Sequence, residues 1–133
     1  MSAAAPLASI AAIGGMRNLL RLESLALLGL AAGLYRLVSG DVLLFAELFL
    51  LPDVSIAFYL FGPRIGAAAY NITHSMLGPS ALAAFALVTG QHIALMVSLI
   101  WFAHIGFDRA LGYGLKHATG FSDTHLGRIG WKD

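Results

Sequence analysis

Residues 42–61 read VLLFAELFLLPDVSIAFYLF, twenty residues in which only Glu47 and Asp53 are charged. A helix rises about 1.5 Å per residue and needs about 20 apolar residues to cross the hydrocarbon core of a bilayer, so this stretch has the length of one span. Outward from it lie three more segments of the same kind: Asn18 to Val38, Ile65 to Val88 and His92 to Tyr113. The links between them, Ser39-Gly40-Asp41, Gly62-Pro63-Arg64 and Thr89-Gly90-Gln91, are short and built from helix breakers. Links this short force neighbouring helices to run antiparallel. The expected fold is all-α, a transmembrane four-helix up-down bundle.

Composition agrees. Of 133 residues, 59% are hydrophobic and 11% charged, against about 25% charged in soluble domains. A net charge of +1 provides no basic field, so nucleic acid is not an expected partner. Cysteine is absent, which removes disulfides, thiolate metal ligands and a cysteine nucleophile. Three parts follow from the sequence: an apolar N-terminal leader over 1–17, the four-helix domain over 18–114, and a cytoplasmic tail or lid over 115–133. Arg17, Arg21, Arg64, Arg109, Lys116, Arg128 and Lys132 fall on one side of the predicted spans and only Arg36 on the other. An excess of Lys and Arg marks the cytoplasmic side, so both termini are expected there.

Packing signals lie within the spans. Gly29-x-x-x-Gly33, Gly66 with Ala67 to Ala69, and Gly106 permit close helix contact, and Gly29/Gly33 leaves a homodimer face open. Pro52 and the Gly78-Pro79 pair are expected to kink or interrupt spans two and three.

The polar residues inside these spans carry the functional reading. Asp53, His74, His104 and Asp108 lead the set, with Glu23, Ser55, Tyr59, Tyr70, Asn71 and Arg109 around them. A charge at mid-bilayer costs several kcal/mol, so such residues face one another and mark functional sites. Counted inward from the cytoplasmic ends, Asp53, His74 and His104 lie at matching depths of about 13–18 Å on three different helices. Asp108 stacks one turn below His104, and Tyr70 one turn from His74, because i and i+4 share a face. Imidazole and carboxylate together are normal donors for zinc, manganese or iron. The residues alone leave two accounts open for this group: metal ligands, or buried charges that pair with each other. A haem between His74 and His104 in a redox subunit, and a non-catalytic accessory subunit of a membrane complex, are further alternatives.

Two resemblances refine this. Leu51-Pro52-Asp53, Tyr70-Asn71-x-x-His74, Pro79, Ala103-His104-Ile105-Gly106-Phe107-Asp108-Arg109, Gly112-Tyr113-Gly114-Leu115-Lys116 and Thr124-His125-Leu126-Gly127 resemble a family of small four-span bacterial membrane proteins of unknown function. That likeness covers residues 18–130 and implies a multi-pass protein of the bacterial inner membrane. More distantly, Pro-Asp, then Thr-His-Ser, then His-x-x-x-Asp is similar to the LexA-regulated inner-membrane metal-dependent hydrolases. This implies that Asp53, His74, His104 and Asp108 are metal ligands and catalytic residues. Ser55 stands where that family tends to place a further acid, and Tyr70-Asn71 replaces its His-Arg element, which speaks against a two-metal centre. On this basis the expected substrate is a lipid or other amphiphile. Tyr70 and Asn71 would orient it, Arg109 or Lys116 would hold an anionic headgroup, and His125 would lie over the site as part of a tail lid.

Overall fold

The computed structural model of the protein describes residues 4–113, 115, 123–124 and 127–128. Helix α1 runs Ala4–Val38, α2 Val42–Phe49, a 3-10 helix Leu51–Phe61, α3 Pro63–His74, α4 Leu77–Thr89 and α5 His92–Ala110. In the tail, β1 (Asp123–Thr124) and β2 (Gly127–Arg128) form a short antiparallel ladder with Asp123 opposite Arg128. Among the described residues, three helical stretches are long and apolar enough to cross a membrane: Val42–Phe61, Pro63–Thr89 and His92–Ala110. These mark a membrane protein. Helix α1 is longer but falls outside that group; Arg17, Arg21, Glu23 and Arg36 punctuate its apolar sequence.

Both interruptions expected at proline are present, each just ahead of the ring. Pro79 cannot stand in the interior of a helix continuous with α3, because its ring would collide with the carbonyl four residues back, that of Ser75; it sits instead in the first turn of α4. The chain accordingly leaves α3 at His74, passes through an extended Ser75 (ψ 153°) and restarts α4 at Leu77. Likewise α2 stops at Phe49, and Asp53 N–H donates to Leu50 at i−3, the first 3-10 bond (3.1 Å). Eleven residues of 3-10 winding is long for this geometry, which rarely exceeds 3–4 residues and which marks hinges and strained sites.

Backbone groups freed at membrane depth need partners. At the α3–α4 break they are side chains of α5: Trp101 Nε1 donates to the Thr73 carbonyl (2.6 Å) and Arg109 Nη2 to the His74 carbonyl (3.3 Å). The Trp101 ring also fills the space above Gly78, where a Cβ would come within 2.5 Å of it. Trp101→Phe keeps the ring but leaves the Thr73 carbonyl buried and unsatisfied, a loss of about 1–3 kcal/mol. The measurement is thermal unfolding in detergent, where Trp101→Phe should melt earlier than a variant changed at an exposed apolar position such as Val88.

Helix α1 lies along α5 and makes the most extensive interhelical contact. Its Ser24, Ala31 and Tyr35 are buried at helical spacing, and Gly106 meets them so closely that a Cβ there would approach Ser24 O at 2.8 Å and Leu28 N at 2.9 Å. Gly66 is similarly pressed onto the Tyr59 ring, joining α3 to the 3-10 helix. Gly29 and Gly33 differ from expectation. Nothing lies within 4 Å of either Cβ position, because the α5-facing stripe of α1 runs through residues 24, 31 and 35 and turns these two glycines outward. At the far end, Tyr35, Met96, Leu99 and Ile100 form a compact apolar cluster.

Candidate metal centre

Three helical stretches deliver four side chains to one point. The first turn of the 3-10 helix supplies Asp53, the last residue of α3 supplies His74, and the final two turns of α5 supply His104 and Asp108. One ligand atom from each lies within 4.8 Å of all the others. The two imidazole Nε2 atoms are 3.0 Å apart. Asp53 Oδ1 is 3.2 Å from each of them, and Asp108 Oδ2 is 3.3 Å from each. Ligands about 2.0–2.2 Å from a common ion stand roughly 3.0–3.4 Å from their neighbours, so these five separations match a shared metal. The cluster has the composition and size to hold a metal ion.

The hydrogen bond behind the His74 imidazole sets its protonation. His74 Nδ1 is 2.9 Å from the Tyr70 carbonyl, which can only accept, so Nδ1 carries the proton. Its Nε2 is then a bare lone pair aimed into the cluster. His104 is 1% exposed, and its buried Nδ1 makes no hydrogen bond among the described residues. Phe49 also meets the His104 ring edge-on at 5.2 Å. Two imidazole nitrogens and two carboxylate oxygens therefore converge on one point, a donor set of the kind that holds a divalent cation.

Further groups hold these donors in place. Tyr70 stacks on the His74 ring at 3.7 Å with planes 6° apart, and its hydroxyl donates to Asp108 Oδ2 at 3.3 Å. Thr73 is a junction that the sequence did not single out. Its hydroxyl lies 2.8 Å from His74 Nδ1, 2.9 Å from Ser55 Oγ and 3.0 Å from the Tyr70 carbonyl. Ser55 in turn donates to the Pro52 carbonyl (2.8 Å), so the hydroxyl pair ties α3 to the segment bearing Asp53. Outer groups that orient metal-binding imidazoles are worth 10–100-fold in affinity. Thr73→Val is expected to weaken metal binding within that range while leaving helix content unchanged, as read by metal titration and circular dichroism.

Exposure is uneven. The side chains of His74, His104 and Asp108 are 3%, 1% and 13% exposed, whereas that of Asp53 is 36% exposed. The cluster is closed on the α5 side and open at Asp53. Of the other residues expected here, Arg109 reaches the His74 carbonyl rather than a carboxylate. Asn71 is half-buried one turn before His74 and accepts Ser75 N–H on its backbone carbonyl at 2.9 Å. Glu23 is exposed on α1 and does not join the four. Lys116 and His125 lie outside the described residues.

No curated protein and no solved structure matches the chain. A family profile does, over residues 17–129, and it spans the whole cluster together with the helices that carry it. On that match the chain belongs to the family described as a domain of unknown function, DUF4260.

Proposed function

We propose that Asp53, His74, His104 and Asp108 bind one divalent metal ion, zinc, manganese or iron, in a membrane hydrolase that acts on a lipid or other amphiphile from the cytoplasmic leaflet. In this reading α1 supplies the fourth span, both termini face the cytoplasm, and the membrane is the bacterial inner membrane. The observation that carries it is the convergence of two imidazoles and two carboxylates, one ligand atom of each lying within 4.8 Å of all the others. A divalent ion in that position supplies Lewis acidity toward a phosphoryl or carbonyl oxygen and makes water a better nucleophile.

The chain's own groups divide the remaining work. Asp53, at the open edge, is placed to accept a proton from water entering there. The Tyr70 hydroxyl holds the Asp108 carboxylate in its ligating orientation. Arg109 fixes the His74 backbone and brings positive charge to the cytoplasmic side of the site, where it and Lys116 favour an anionic headgroup. Asn71 is assigned to substrate orientation and His125 to a lid.

The haem alternative loses ground. With the two Nε2 atoms 3.0 Å apart and two carboxylates beside them, the space a macrocycle would need is filled by Asp53 and Asp108. Elemental analysis of wild-type protein purified at neutral pH without chelator is the test. About one equivalent of a divalent metal is expected; none would end the proposal.

A further inference from the structure

One cavity borders the cluster without belonging to it. It has a volume of about 250 Å³ and is lined by Leu48, Leu51 and Pro52 on one side and by Val97, Ile100 and Trp101 of α5 on the other. Among the described lining residues, Thr73 contributes a hydroxyl and Trp101 an indole N–H to an otherwise apolar wall. Two of the lining residues, Pro52 and Thr73, immediately precede the ligands Asp53 and His74 in the chain. Trp101, Ile100 and Val97 stand three, four and seven residues before His104 on α5, so the cavity begins one turn from the imidazoles.

Its direction matters more than its size. Along α5 the order is apolar cavity, then imidazole, then Asp108, then Arg109. Polarity therefore rises toward the Arg-rich end of the bundle and falls toward the middle of the bilayer. A membrane amphiphile in the adjoining leaflet has the same order of hydrocarbon, reactive linkage and headgroup. The volume, about 250 Å³, lies below the 300–1,000 Å³ that pockets for drug-sized ligands occupy, which suits one flexible hydrocarbon chain.

We propose that this cavity receives the hydrocarbon chain of the molecule whose polar group sits at the metal centre, so that the substrate is an amphiphile with a linear chain attached within a few bonds of the reacting group. This rests on the metal-dependent reading above. Substrate selection then follows chain geometry at the wall formed by Val97, Ile100 and Trp101, while the ligand set handles the polar end.

The test uses Trp101 as the reporter. In full-length protein with Trp131→Phe, reconstituted in nanodiscs and loaded with metal, an alkyl hydroxamate brominated near its chain end is titrated against Trp101 fluorescence. Saturable quenching is expected, displaced by the unbrominated chain and only at far higher concentration by acetohydroxamate, whose headgroup binds metal without a tail. Val97→Phe fills the cavity and is expected to reduce the saturable quenching at least tenfold with metal content unchanged; Leu48→Phe fills it from the opposite wall should the first variant fail to fold. Quenching that is linear in probe, equal to that from brominated bulk lipid, or unaffected by both filled variants would overturn the inference. Absence of metal from the unmodified protein would instead sink the reading on which it rests, so the two failures are told apart.

Discussion

His104→Ala is expected to strip the protein of its metal, with occupancy falling from about one equivalent to a background level after a single dialysis step. The loss should exceed the 10–100-fold that removal of an outer orienting partner produces, because a ligand atom itself is deleted. The geometry explains why no neighbour compensates. His104 Nε2 is the atom nearest to His74 Nε2 and lies within 3.3 Å of both carboxylates, so its removal leaves the remaining three without their most buried member. Asp53→Asn is the informative companion. Asp53 is the most exposed of the four, and an amide oxygen retains some donor capacity, so occupancy should fall less than for His104→Ala. Equal and full metal content in both variants would show that these side chains do not hold the metal.

Gly106→Leu is expected to be the most damaging single change outside the cluster. A Cβ at this position approaches backbone atoms of α1, not the tip of a flexible side chain, so relief requires the two helices to separate. Overpacking a well-formed contact costs about 1–3 kcal/mol where side chains can adjust, and the fixed backbone of α1 puts this case at or above the upper figure. Because Gly106 lies between His104 and Asp108, separation of α1 from α5 also disturbs the ligand pair. The expected result is a lowered melting temperature together with reduced metal occupancy. Gly29→Leu, facing open space, should alter neither property in the same assays.

That contrast shows where sequence reasoning reached its limit. Gly29, Gly33, Gly66 and Gly106 carry the same small-residue signal, and only the face on which each falls separates the buried two from the outward two. The four candidate ligands were legible because a carboxylate or imidazole inside an apolar stretch stands out chemically. Their depths could also be compared by counting residues, and an error of two or three positions still leaves them on neighbouring turns. Thr73 and Trp101 were not legible in this way. Threonine and tryptophan are ordinary in apolar spans, and both acquire their roles from the α3–α4 break, which frees the Thr73 carbonyl for Trp101 and turns the Thr73 hydroxyl toward His74. Pro52 announced an interruption, but not that the chain beyond it would stay tightly wound as far as Phe61.

The tight winding has a mechanical corollary. A 3-10 helix turns about 120° per residue and an α-helix about 100°, so positions three apart are in line only in the former. Asp53 and Tyr59, two such steps apart, therefore lie on one edge, the first beside the imidazoles and the second against Gly66. Rewinding those six residues as α-helix accumulates roughly 120° of rotation between them. With Tyr59 clamped on Gly66, that rotation would swing the Asp53 carboxylate off its partners while His74, His104 and Asp108 kept their places.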